Sequence, residues 1–169
     1  MSFEIEMIQK DNVLEVWPEI EHFADNLKKR SFGRYLTADI FNQVIELPYF
    51  LWVVREEGNT VGFFICGVNK YPRKTYLDLN TLSGVRLNEW ANQALEVVEE
   101  LGEKLGFDGM ETSTAPGLEK RWREVGFEKE FVVMTKAFKQ QEVEPLVDAD
   151  EINISLEPKD VLLKEAANG

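Results

Sequence analysis

Hydrophobic and polar positions along the chain follow two alternating repeats. Phe3, Ile5 and Met7 alternate with polar neighbours, the two-residue period of a half-buried strand. Val13, Val16, Trp17, Ile20, Phe23, Ala24 and Leu27 then recur at helical spacing, with Asp11 or Asn12 as the candidate cap and Pro18 expected to kink or restart the helix. Thr37 caps a second helix carrying Ile40, Phe41, Val44, Ile45 and Leu47, and Leu36 is placed to staple onto Phe41. Two β-rich runs, Phe50 to Arg55 and Thr60 to Val68, flank Glu56-Glu57-Gly58-Asn59, a hairpin signal. The turn Tyr71-Pro72-Arg73-Lys74 leads into a further strand, Thr75 to Leu82. Leu87 to Leu105 is the clearest helix, with Leu87, Trp90, Ala91, Ala94, Val98, Leu101 and Leu105 on one face and Gly106 as its stop. A short strand, Gly109 to Thr114, a short helix, Leu118 to Val125, and a last strand, Phe131 to Phe138, complete the pattern. This order predicts an α/β chain with a mixed central sheet flanked by helices.

Composition changes once, near residue 139. From Gln140 to Gly169 eight acidic residues face two lysines, no aromatic residue occurs, and the segment holds half of the net charge of -12. It cannot bury enough apolar surface to offset its ordering entropy, so residues 1–139 are expected to form the domain and 140–169 an extended or disordered acidic tail. Ile152, Ile154 and Leu156, then Val161, Leu162 and Leu163, are short apolar groups that would let this tail dock on a protein partner or on a second copy. A purely solubilising tail is the alternative.

Charge and residue counts exclude several classes. With 31 Asp or Glu against 19 Lys or Arg, the chain would be repelled by a phosphate backbone, so no nucleic-acid partner is expected. One cysteine, Cys66, and one histidine, His22, cannot build a Cys/His zinc site, so no metal is expected. No apolar run reaches the roughly 20 residues of a membrane span, and Met1 to Lys10 lacks the features of a signal peptide, which predicts no membrane association and a cytoplasmic location.

The element order resembles the GNAT N-acetyltransferase fold, and Leu118-Glu119-Lys120-Arg121-Trp122-Arg123-Glu124-Val125-Gly126-Phe127 looks like that fold's closing helix, which ends in an aromatic residue, three others, then Gly-Phe. Tyr71-Pro72-Arg73-Lys74, Leu82-Ser83-Gly84 and Glu89-Trp90 are similar to segments of GNAT-like proteins encoded by bacteriophages, often among virion genes. That resemblance implies a host-cytoplasmic or virion location.

The resemblance also implies where chemistry would reside. In such enzymes the acetyl-CoA pyrophosphate rests on a turn before the long helix, patterned Arg or Gln, two residues, Gly, one residue, Gly or Ala. Glycine there lets the main chain approach the phosphates, and the helix dipole favours the anion. On this chain Arg86 and Ala91 match as cofactor-binding residues. Glu89 stands at the middle glycine, a carboxylate where an anion should sit, and Trp90 adds bulk. The tyrosine that protonates the departing thiolate in many members corresponds to Trp122, whose indole N–H is too weak an acid at neutral pH.

A base remains available. Tyr76, Asp78 and Asn80 share one face of their strand and Glu111 lies on the next, making Asp78 and Glu111 the catalytic candidates; solvated polar residues at a sheet end are the alternative. His22, the basic groups Lys28-Lys29-Arg30 and Lys70, Arg73, Lys74, and Cys66 carry weaker signals, each explained by a surface or core position. Two functions follow: a GNAT-fold interaction or structural protein with an eroded acetyl-CoA site and no cofactor, or an acetyl-CoA-dependent N-acetyltransferase of an unidentified amine.

Overall fold

In a computed structural model of the chain, described for residues 3–28, 31, 33–46 and 48–138, five strands form one sheet in the order β1-β2-β3-β4-β5. They are β1 (Glu4–Ile8), β2 (Phe50–Glu56), β3 (Asn59–Lys70), β4 (Thr75–Gly84) and β5 (Gly109–Glu111). The helices are α1 (Val13–Lys28), α2 (Thr37–Glu46), α3 (Leu87–Leu105) and α4 (Glu119–Glu124). Neighbours are antiparallel from β1 to β4, and α3 returns the chain so that β5 runs parallel to β4. The expected mixed sheet flanked by helices is therefore present. The chain divides after Glu130.

Strand alternation sends side chains into two cores. Leu51, Val53, Phe63 and Ile65 face Val13, Trp17, Ile20 and Phe23 of α1 and Ile40 and Val44 of α2. On the opposite side Trp52, Val54, Phe64, Leu77 and Leu79 pack with Trp90, Ala94, Leu95 and Val98 of α3. Each buried aliphatic or aromatic side chain contributes on the order of 1.5–3 kcal/mol by leaving water, which suffices to hold helix layers on both faces. Trp52 stacks on Phe64 at 5.6 Å, and its indole N–H is a buried donor without an acceptor.

Local chemistry sets the element ends. Glu57 and Gly58 both have positive φ, 48° and 79°, the two-residue hairpin whose twist matches its strands. Gly106 adopts φ 70°, so its N–H and that of Phe107 reach the carbonyls of Glu103 and Gly102 and close α3. Helix starts differ from expectation. Asp11 and Asn12 do not cap α1 but form, with Lys10, a single 3₁₀ turn that runs straight into it, and α1 continues through Pro18. At α2 the cap comes from the opposite direction: the Leu36 N–H donates to the Asp39 carboxylate at 2.8 Å, while the Thr37 hydroxyl donates to Asp25 of α1. Leu36 itself is exposed, so it forms no buried staple.

The C-terminal part departs most. β5 is limited to Gly109–Glu111, and the closing helix is a 3₁₀ turn, Pro116–Leu118, followed by α4. Phe131 to Phe138, expected as a strand, carry no regular secondary structure. Phe131, Val132, Val133, Met134 and Phe138 are between 69% and 90% exposed. The acidic segment 140–169 lies outside the described residues.

Candidate functional site

Asp78 and Glu111 are brought together. They are directly opposed across the parallel β4/β5 pair, the last register position before the strands part. Beyond it the Leu79 carbonyl accepts from the Thr112 hydroxyl at 2.9 Å, and among the described residues no strand pairs with the β5 side of β4 between there and Gly84. Leu77 and Leu79 point into the α3 core, which leaves Tyr76, Asp78 and Asn80 on the α1/α2 face, as the alternation requires.

The two carboxylates have different surroundings. Asp78 is half-buried; burial pushes its carboxyl above the usual range, the Asn80 amide at 3.4 Å works against that, and the Glu111 charge adds to it. Glu111 accepts a hydrogen bond from the Asn69 amide and one from the Tyr71 hydroxyl, whose single O–H is shared between the two carboxylate oxygens at 3.0 and 3.1 Å. That bond holds the Tyr71 phenol above its ordinary value, with burial and neighbouring charges adding to it. Tyr71 meets the Tyr76 ring edge-on at 5.9 Å, and Lys74 lies 5.9 Å over the same ring. Tyr49 covers Gly67, the β3 partner of Asp78; a Cβ at Gly67 would stand 2.4 Å from the Tyr49 ring, so only glycine admits that ring. Asp78 is thus a carboxyl held above its ordinary range by burial, and Glu111 a hydrogen-bonded carboxyl beside it.

Asn69, Tyr71 and Tyr49 were not among the candidates. Strand alternation from Gly67 places Asn69 on the same face, but Tyr71 belongs to a turn and Tyr49 to a connection, where no periodicity operates.

The N-terminus of α3 is the second region. Only Val85 and Arg86 separate β4 from α3, and Arg86 takes a left-handed backbone, φ 49°. Its guanidinium is ion-paired to Glu56 at the end of β2 and to Glu89 at 3.1 Å, and lies 5.7 Å over the Phe3 ring. The Arg86 guanidinium at this helix end is shared between two carboxylates. A diphosphate at this helix end would have to take the guanidinium from one carboxylate and sit beside the other.

Trp90 takes the core position that its helical spacing predicts and lies beneath the turn, not in it as the loop alignment places it. Because α3 begins at Leu87, position 90 faces the sheet, where the indole is fully buried and donates to the Val85 carbonyl at 2.9 Å. Gly62 and Gly84 make room: a Cβ on either would lie 2.4 or 2.9 Å from Trp90 Cζ2. Ala91 is buried one residue further on. Trp122 packs on the same core, edge-on to Phe127 at 5.0 Å, with its N–H given to the Thr114 hydroxyl at 2.8 Å.

Of the weaker candidates, His22 is exposed against Phe23, and Cys66 is buried, its thiol pushed up to about 12 by burial and then by the Asp78 charge. Lys29 and Arg30 lie outside the described residues. A shallow groove of about 320 Å³ along α2, lined by Tyr35, Asp39, Asn42, Gln43 and Glu46, contains none of the residues above. Among the described residues no group of acidic, histidine or cysteine side chains could hold a metal, and no helix is long and apolar enough to cross a membrane.

No family model and no curated relative matches this chain. Solved structures do. Glucosamine-6-phosphate N-acetyltransferase from Arabidopsis thaliana aligns at a TM-score of 0.59 and 12% identity, covering 82% of this chain and 99% of that one. Aminoglycoside N-acetyltransferase AAC(6')-Iy in complex with CoA aligns at 0.60 and 17%, covering 82% and 95%. A transcriptional regulator from Bacillus halodurans C-125 aligns at 0.61 and 13%, covering 81% and 100%. The five-stranded sheet and its helices are thus those of the GNAT N-acetyltransferase fold, at identities that carry the fold alone.

Proposed function

We propose that this chain uses the GNAT fold as a binding scaffold and does not transfer acetyl groups from acetyl-CoA. The observation that carries this reading is the Glu56–Arg86–Glu89 cluster: at the helix end that would receive a diphosphate, the Arg86 guanidinium is already held by two carboxylates. Trp122, with its N–H committed to Thr114, supplies no acidic proton in the tyrosine's place. The exposed apolar run from Phe131 suits an interaction protein, and resemblance to phage GNAT-like proteins supports a role in a virion or in the host cytoplasm. A protein partner or a second copy, engaged through residues 140–169, belongs to the same proposal. Isothermal titration with acetyl-CoA tests it. No binding heat at tens of micromolar is expected, and saturable micromolar binding overturns the reading.

A second reading is favoured by one specific arrangement. Asp78, its carboxyl raised by burial, stands beside a Glu111 side chain held by Asn69 and Tyr71, which suits taking a proton from an ammonium group. On this reading the chain is an N-acetyltransferase of an amine, as the CoA-bound neighbour's name would suggest. Acetyl transfer to any of a panel of polyamines and aminoglycosides, abolished by Asp78→Asn, would establish it.

A further inference from the structure

Backbone strain gathers at the two ends of one ion pair. Among the described residues only Glu57 and Arg86 carry a side chain at positive φ, 48° and 49°. A left-handed backbone costs a residue with a Cβ free energy that glycine does not lose, and such positions cluster at sites and switch elements. The two lie far apart in sequence, but Glu56, the residue before Glu57, is ion-paired to Arg86. Residue type explains neither backbone. A two-residue hairpin of this kind needs positive φ at both positions and favours Asn-Gly or Asp-Gly, where this chain has Glu57-Gly58. Arg86 bridges two fixed points. One is Val85, whose N–H donates to the Val61 carbonyl and whose own carbonyl accepts from the Trp90 indole; the other is Leu87, where α3 begins.

The hairpin has a less strained closure within reach. Glu56 and Asn59 are its last register pair, with Arg55 and Thr60 next. Releasing that pair leaves a four-residue loop, Glu56 to Asn59, which closes around a type I turn with Glu57 right-handed. The rest of the register is untouched, and the Thr60 hydroxyl keeps its bond to Glu19. What the strained closure gains is Glu56 as a strand residue with its carboxylate on the Arg86 guanidinium. We infer that the Glu56–Arg86 pair is a latch that selects between the two hairpin closures and thereby regulates the α3 end. Closed, it commits the guanidinium to Glu56; open, the hairpin tip relaxes and Arg86 keeps only Glu89. An anionic group that engages Arg86 competes with Glu56 and favours the open tip, and by reciprocity whatever holds the tip closed disfavours that group. The regulatory meaning rests on the proposed closure of this helix end to a diphosphate, whereas the latch itself is measured without any ligand.

The nuclear Overhauser effect between the N–H and Hα protons of one residue tests the inference on the full chain, because positive φ brings those two protons together. It should be strong at Glu57 and Arg86 in the parent. Glu56→Gln should weaken the Glu57 signal about threefold, the change from a left-handed to a right-handed backbone. Arg86→Gly removes the guanidinium while its own backbone stays left-handed without strain, and should weaken the Glu57 signal in the same way. Glu89→Gln leaves the Glu56–Arg86 pair in place and should not. Adding Glu57→Asn to Glu56→Gln should restore the strong signal at position 57, since Asn tolerates the left-handed turn. A strong Glu57 signal that survives both Glu56→Gln and Arg86→Gly, or one that weakens equally in Glu89→Gln, would overturn the latch. Calorimetry with acetyl-CoA decides the closure reading separately, so either can fail without the other.

Discussion

Gly62→Ala and Trp90→Phe, separately and together, test whether Trp90 is the buried strut that sets the start of α3. A Cβ at Gly62 would lie 2.4 Å from Trp90 Cζ2 and 2.9 Å from the Ser83 carbonyl oxygen. The first atom belongs to a fully buried indole anchored through its N–H to Val85, and the second is backbone, so neither can yield freely. Overpacking of this kind costs about 1–3 kcal/mol. Trp90→Phe removes the hydrogen bond to Val85 and part of a buried ring, together costing about 2–3 kcal/mol. The two losses should not add. Shortening the indole removes the nearest clash, so the double variant should be more stable than the sum predicts by about 1 kcal/mol, and only partly restored because Ser83 remains close. Urea unfolding of the four proteins measures this, with midpoints compared at constant slope. A Gly62→Ala protein within about 0.5 kcal/mol of the parent, or strict additivity, would refute the placement of Trp90 beneath the turn.

Further outcomes follow from the two carboxylate regions and the buried thiol. Asp78 is raised by burial in the folded state, so the native protein holds this proton more tightly than the unfolded chain, and stability contributed by the protonated form is lost as pH rises from the ordinary carboxylate range through the raised value. Asp78→Asn should therefore gain Tm relative to the parent as pH increases from 3 towards 7; a difference that shrinks over this range contradicts the burial argument. Cys66, with its thiol near 12, should resist a thiol-specific reagent in the native protein at neutral pH and react at once in urea, and rapid native labelling would contradict its placement. Glu56→Gln with Glu89→Gln should leave Arg86 uncompensated and raise the affinity of the α3 end for coenzyme A roughly tenfold, read by calorimetry; no gain would mean that these carboxylates are not the obstacle.

Where local pattern and long-range packing agree, the residues alone reveal the fold. Leu87 to Leu105 matches α3 because its apolar stripe, its length and Gly106 all point the same way. The Glu57-Gly58 hairpin is legible from Gly58, which takes its positive φ at no steric cost, whereas the positive φ of Glu57 has no signal in its residue type. The strand reading of Phe131–Phe138 rests on β-propensity, which measures fit to a neighbour that the segment itself does not name. Trp90 shows a conflict between two local readings: the motif alignment put it in the turn, and the helical period put it on the buried face. The period decides, because α3 is already helical at Leu87. Asp78 and Glu111 were each legible as polar residues on strands, but their direct opposition is a matter of register across a nineteen-residue helix. Nothing local connects Glu56 to Arg86, since the pair joins the end of β2 to the start of α3.

The proposal that the α3 end does not receive a nucleotide diphosphate is tested most directly by the backbone amides of Leu87 and Asn88, the first residues of that helix. Acetyl-CoA titrated into isotopically labelled protein should leave their nuclear magnetic resonance positions unchanged at tens of micromolar. Saturable shifts of both amides at micromolar acetyl-CoA would contradict the account and place the cofactor where the carboxylates of Glu56 and Glu89 are held to exclude it.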